Sequence, residues 1–279
     1  MAKVKRLEPQ AGTRRRTDSS GRASIYIVGE SPMVEEFAEL CAGHGYQVHI
    51  SWNETPESIP PLTSKKITRG RIIPSGTSLA LELTTIDLDR KRENLQRLDK
   101  ALPPTAAIVS TSVTVTATEQ STWVLNRNRL VGMGALPTLI DKPIVEIAPT
   151  VFSPKETVEV VQRFFRSLGK EMMLVQDRVG LVFPRILCHV INEASFALQE
   201  QVATPQDLDM AMKLGAGFPL GPIEWADRIG LKHVHAVLSA LQNDLQEERY
   251  RISPLLRQLA QGGVWWKHGS GETQERSER

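Results

Sequence analysis

Ser24-Ile-Tyr-Ile-Val-Gly29-Glu30-Ser31-Pro32-Met33-Val34 is the stretch on which the fold turns. Its first six residues read as a short apolar strand ending in Gly, and a helical stretch with Phe37, Leu40 and Cys41 on one face follows. Gly45-Tyr-Gln-Val-His-Ile50 reads as a second strand, which makes the opening a strand, helix, strand unit with its crossover. Such a unit is the first half of a nucleotide-binding parallel sheet. Moving outward, further apolar segments stand at Leu79 to Leu83, at Ala106 to Val109 with Ser110-Thr-Ser-Val-Thr-Val-Thr beyond, and at Ile144 to Ala148. Between them Asp89 to Ala101 has helical spacing, with Leu95 and Leu98 facing inward. The alternation predicts an α/β layered domain over residues 23–176.

From about Ser153 the pattern changes to punctuated helices. Ser153-Pro-Lys-Glu156 has the form of a capping box, with Val158, Val161, Phe165 and Leu168 as the stripe and Gly169 as the stop. Thr204-Pro-Gln-Asp207 repeats the pattern, with Leu208, Ala211 and Met212 inside and Gly215 at the end. Gly221-Pro222 starts a short helix that Gly230 ends, and Val234, Val237, Leu238, Leu241 and Leu245 line the next. No strand is expected after Asp177, so residues 177–271 form an all-helical second domain, with the boundary near Val175 to Gly180.

Composition bounds the function classes. The chain has 279 residues, 41% hydrophobic, with a formal charge of +2, and no run of about 18 apolar residues that would span a membrane. Cys41 and Cys188 are far apart and have apolar neighbours, which argues against a disulfide framework and a metal site and for a reducing cytoplasm. Lys3, Lys5, Arg6, Arg14, Arg15, Arg16 and Arg22 face only Glu8 and Asp18 in residues 1–22, a disordered basic arm, with a transit peptide or phosphate-binding tail as alternatives. Residues 272–279 form a second polar tail. The folded body has no charge excess that would call for nucleic acid.

Asp207-Leu-Asp-Met-Ala-Met-Lys-Leu-Gly-Ala-Gly-Phe-Pro-Leu-Gly-Pro-Ile-Glu-Trp-Ala-Asp-Arg-Ile-Gly230 resembles the signature stretch of the 3-hydroxyacyl-CoA dehydrogenase family. Asp177-Arg-Val-Gly180, Asn192-Glu-Ala194 and Lys267-His-Gly-Ser-Gly271 are similar to other parts of the same helical domain, and weaker similarity runs back to Ala23. The resemblance implies a Rossmann-like sheet domain, shortened after the second strand, followed by a helical domain of the 6-phosphogluconate dehydrogenase type. It also implies NAD as cofactor, no metal, an acyl-CoA in the cleft between domains, and a homodimer built through the helical domain, a heteromer remaining open.

Carried over residue by residue, the resemblance exposes departures. Of the G-x-G-x-x-G that a dinucleotide turn needs, Gly29 remains, Ser31 takes the position of closest phosphate approach and Val34 the helix-packing position. Glu30 adds negative charge beside the helix start. Trp52 stands where an acidic residue would meet the adenosine ribose, with Glu54 as its nearest substitute. In the family a His oriented by a Glu removes the hydroxyl proton while a Ser and an Asn hydrogen-bond the reacting oxygen. Here Gly134 falls at the His, Pro184 at the Asn, Thr111 with neighbouring Ser112 at the Ser, and Glu146 at the orienting Glu. Two readings follow: a pseudoenzyme with a degenerate site, or an active NAD(P)-dependent oxidoreductase acting on an altered hydroxyacyl substrate. In the second, Glu146 raised toward neutrality, or His189, would serve as relocated base. Lys65, Lys66, Arg69 and Arg71 lie in the loop after the second strand, where they would meet CoA phosphates or solvent.

Overall fold

The structure, a computed structural model, describes residues 23–54 and 62–263. The basic arm, the C-terminal tail, Trp265-Trp266 and Lys267 to Gly271 lie outside the described residues. In chain order the sheet domain comprises β1 (Ser24–Gly29), α1 (Met33–Gly43), β2 (Gln47–Trp52), β3 (Ile67–Arg69), β4 (Thr77–Leu83), α2 (Leu88–Ala101), β5 (Ala107–Thr111), α3 (Ala117–Ser121), β6 (Leu130–Gly134), β7 (Ile144–Pro149), α4 (Lys155–Ser167) and β8 (Glu171–Leu174). The helical part comprises α5 (Phe183–Gln199), α6 (Pro205–Ala216), α7 (Pro222–Ile229), α8 (Leu231–Leu245) and α9 (Pro254–Gly262).

One sheet of eight strands runs in the order β3-β2-β1-β4-β5-β6-β7-β8. All neighbours are parallel except β6 and β7, which pair antiparallel with Gly134 opposite Glu146. The reduction expected after the second strand therefore lies in the connections: β3 to β4 has no helix, nor do the described residues between β2 and β3. Alternation along β1 sets the layers. Ile25 and Ile27 join α1 and α4 in one core, whereas Tyr26 and Val28 join α2 and α3 in the other. The strand order reverses between β1 and β4, so a crevice opens beyond their C-terminal ends.

Local chemistry moves several expected boundaries. Gly45, at φ +94°, belongs to the turn that ends α1, in which the Tyr46 amide donates to the Cys41 carbonyl (3.1 Å), so β2 starts at Gln47. The segment at Ala106 to Val109 with Ser110 to Thr116 beyond is strand from Ala107 to Thr111 only, and Thr116 caps the short helix α3 that follows, accepting the Glu119 amide (3.2 Å). The capping box at Ser153 does not form: its hydroxyl donates to the Leu130 carbonyl (2.7 Å), and α4 begins after Pro154 without a side-chain cap. Residues 65–71 are not wholly loop, since β3 pairs with β2 there.

The signature stretch folds as the α6–α7 pair, and its polar residues hold that pair together. Asp209 accepts the amides of Ile223 (2.8 Å) and Glu224 (3.2 Å), and Glu224 accepts both the Gly221 amide (3.2 Å) and the Lys213 ammonium (2.9 Å). A Cβ on Gly221 would lie 2.1 Å from the Asp209 carboxylate, so only glycine fits. Asn192 clamps α5 to the segment before α9, donating to the Arg251 carbonyl (2.9 Å) and accepting the Ser253 amide (2.9 Å). Thr204 does cap α6, accepting the Asp207 amide (3.2 Å), but Leu208, Ala211 and Met212 are not inside. No α6 residue is buried, and Met210 and Leu214 are exposed.

Candidate functional site

The crevice at the sheet's switch point is built on Gly29. Its φ of +152° and the 2.5 Å that would separate a Cβ from the Leu83 backbone require glycine. The next residues depart from a phosphate-binding turn. The Ser31 hydroxyl donates to Glu35 (3.0 Å), and Val34 is fully buried in the α1 core. Glu35 also accepts the Trp52 indole N–H (2.9 Å), which places Trp52 against α1 rather than toward a ribose. Glu35 and Glu36 put two carboxylates in the first turn of α1. Glu30 turns its carboxylate onto the amides of Thr85 (3.0 Å), Ile86 (3.0 Å) and Asp87 (3.3 Å). A dinucleotide pyrophosphate needs close backbone approach and an uncompensated positive helix end at this turn. The residues present do not fit it.

The crevice continues into a cavity of 770 Å³ between the sheet domain and the helical part. Glu30, Glu54 and Asp87 face Arg90, Arg228, Lys232 and His233 across it. Glu54 is exposed at its edge, brought there by the end of β2.

Glu146, Gly134 and Pro184 do converge, in a separate, mainly apolar cavity of 370 Å³. The antiparallel β6–β7 register sets Glu146 opposite Gly134. The Glu146 carboxylate accepts the amides of Val182 (2.9 Å) and Phe183 (2.7 Å), so it caps the start of α5. A Cβ on Gly134 would lie 3.1 Å from Glu146 Oε2 and 3.2 Å from Leu181. Pro184 sits in the first turn of α5, where its missing N–H costs nothing. The lysines at this cavity are engaged elsewhere: Lys142 lies 4.7 Å over the Trp225 ring, and Lys170 donates to the carbonyls of Ile140 and Lys142.

Thr111 and Ser112 do not reach that cavity's lining. The buried Thr111 hydroxyl donates to the Thr84 carbonyl (2.6 Å) and accepts from Lys91 (2.9 Å); Ser112 is buried against Gly132 and its hydroxyl has no partner among the described residues. Lys91 itself, fully buried, is a residue that sequence reasoning missed. Its ammonium binds Glu82, the Thr84 carbonyl (2.7 Å), Ser110 (3.0 Å) and Thr111. Burial pulls its pKa below the ordinary lysine value while Glu82 opposes the shift. The signal was its spacing: Lys91, Asn94, Leu95 and Leu98 share the inner face of α2.

His189 is turned away from both cavities, its ring 5.0 Å from Tyr250. Burial first, then Arg185 and Arg249, hold its pKa below the usual histidine value. His233 and His235 do not pair, since His233 faces Glu30 at 3.4 Å. Among the described residues no group of His, Cys, Asp and Glu could hold a metal ion, and Cys41 and Cys188 are buried and free.

Comparison with known proteins bears on both halves. Residues 71–178 match the 3-hydroxyacyl-CoA dehydrogenase NAD binding domain, and residues 180–271 match the C-terminal domain of the same family. The chain is 31% identical over 193 residues to a probable 3-hydroxybutyryl-CoA dehydrogenase of Bacillus subtilis, covering 69% of this chain and 67% of that one. It is 26% identical over 283 residues to the 3-hydroxyadipyl-CoA dehydrogenase of Escherichia coli, covering 92% of this chain but 60% of the relative, so about two thirds or less of these relatives is spanned. Among solved structures, the (S)-3-hydroxybutyryl-CoA dehydrogenase of Ralstonia eutropha superimposes with a TM-score of 0.71 at 24% identity, over 87% of this chain and 94% of that one. The chain belongs to the 3-hydroxyacyl-CoA dehydrogenase family.

Proposed function

We propose that this chain is a non-catalytic member of its family, a subunit or regulator that keeps the dehydrogenase architecture while its oxidoreductase and cofactor sites are degenerate. The family reaction is the NAD-linked oxidation of (S)-3-hydroxyacyl-CoA to 3-oxoacyl-CoA. The observation that carries the reading is the use of Glu146: opposite a glycine instead of a histidine, its carboxylate is taken up by the amides that open α5. General acid–base catalysis contributes roughly 10² to 10⁴-fold, and one preorganised donor to the reacting oxygen roughly 10² to 10³-fold. With Gly134 and Pro184 at the two positions, turnover falls by several orders of magnitude. The test is reduction of acetoacetyl-CoA with NADH, alongside NADH fluorescence titration. The expected result is no saturable NADH binding in the micromolar range and negligible turnover; turnover at ordinary enzyme rates overturns the reading.

An active oxidoreductase with a relocated base is the second reading, favoured by the 370 Å³ cavity that remains beside Glu146 and by relatives named as dehydrogenases. The same assay separates the two. The assembly we propose is a homodimer through the helical part, supported by α6, which has no buried residue and exposes Met210 and Leu214. The setting we propose is cytoplasmic; no described helix is long and apolar enough to cross a membrane, and both cysteines are free.

A further inference from the structure

We propose that Glu30 is a built-in anion: its carboxylate fills the anion seat at the start of α2, ties the first sheet turn to the helical part, and thereby closes the crevice to a phosphate-bearing ligand. The inference rests on the degenerate-site reading and names what closes that site. Three successive amides, Thr85, Ile86 and Asp87, converge on the one carboxylate at 3.0 to 3.3 Å, ahead of a 14-residue helix. Successive amides aimed at one point, at a helix start, favour an anion there. A second, independent group points into the same place. His233, buried on the first turn of α8, sets its Nε2 3.4 Å from the Glu30 carboxylate and so pairs with it from the helical part.

The charged neighbours are Asp87 at the cap of α2, Arg90 and Lys91 within it, Glu54 just after β2, and Arg228 and Lys232 from the helical part. Burial pushes the Glu30 carboxyl up, but His233 and the amides of Ile86 and Thr85 outweigh it and hold the group ionised below its ordinary value. Because the carboxylate is tethered one residue from Gly29, it competes at an effective concentration that a free phosphate in solution does not reach.

The test uses the full chain and two probes, inorganic pyrophosphate and ADP, in isothermal titration. The wild type is expected to show no saturable binding at millimolar concentration, while Glu30→Ala gains affinity of at least about tenfold. A folded Glu30→Ala protein that gains nothing overturns the proposal. Amide exchange at residues 85–87 of the wild type supplies a readout that needs no variant: protection unaltered by pyrophosphate supports the seat as already filled, and added protection overturns it. Acetoacetyl-CoA turnover by the wild type would instead sink the degenerate-site reading, a separate outcome.

Discussion

Glu146, set opposite Gly134, accepts the two amides that open α5. A carboxylate accepting two amides at a helix start is a charge-assisted cap, and Glu146→Ala is expected to lower stability by about 1.5 to 3 kcal/mol in denaturant titration. Gly134→His is not a simple restoration, because its Cβ meets Glu146 and Leu181 at 3.1 to 3.2 Å and the β6–β7 pair has to give. Glu36 carries a pH dependence of its own. Burial raises its pKa to about 7, with Asp141 and Glu35 adding to the shift and the Thr138 amide opposing it. An acid whose folded pKa lies above its unfolded value binds more protons when folded, so its contribution to stability is lost as pH rises from about 4.5 to about 7. Undiminished, such a shift is worth about 3 kcal/mol; partial exposure of Glu36 screens it to about 1 kcal/mol. Thermal unfolding between pH 5 and pH 7.5 should show this decline in the wild type and a flatter profile in Glu36→Gln.

At the level of elements, α2 is docked by a charge. Lys91 reaches from α2 to Glu82 on β4 and to Ser110 and Thr111 on β5, all of it buried. Lys91→Met leaves Glu82 uncompensated in the interior and is expected to cost about 3 to 5 kcal/mol, read from the denaturant midpoint at constant slope. The Lys91→Met, Glu82→Leu double variant should recover much of that loss, because the cost arises from the orphaned charge. The periodicity that placed Leu95 and Leu98 inward also placed Lys91 inward, but a lysine on an inner face has no meaning until its partners on two other strands are known. The signature stretch teaches the converse. Asp209, Lys213, Gly221 and Glu224 were legible as a family pattern, and their contacts are those of a helix pair, so the most recognisable part of the chain carries architecture.

At the scale of the whole molecule, the sheet domain and the helical part bury largely separate cores. If α6 lies in a homodimer interface, Leu214→Glu combined with Met210→Glu should yield a folded monomer in sedimentation or light scattering, with unchanged far-ultraviolet circular dichroism; a monomeric wild type would remove that reading. The opening strand, helix, strand unit, the glycine turn after β1 and the helical nature of the described chain beyond Leu174 could be read along the chain, because they rest on periodicities of two and 3.6 and on turn chemistry, which are local, and the family from a long motif. The identities of Ser31, Val34, Gly134 and Pro184, on which the residue-by-residue resemblance turns, stand in the sequence itself. Short strands such as β3, β6 and β8 escaped, since a few residues hold too little pattern. What took three dimensions was the fate of the groups left behind: Glu146 on the α5 amides, Glu30 on the α2 amides, Thr111 and Lys91 locked in a buried cluster, and α6 left uncovered. Those outcomes depend on which residues from distant segments meet, and a charged group's role is set by the partners that replace its water.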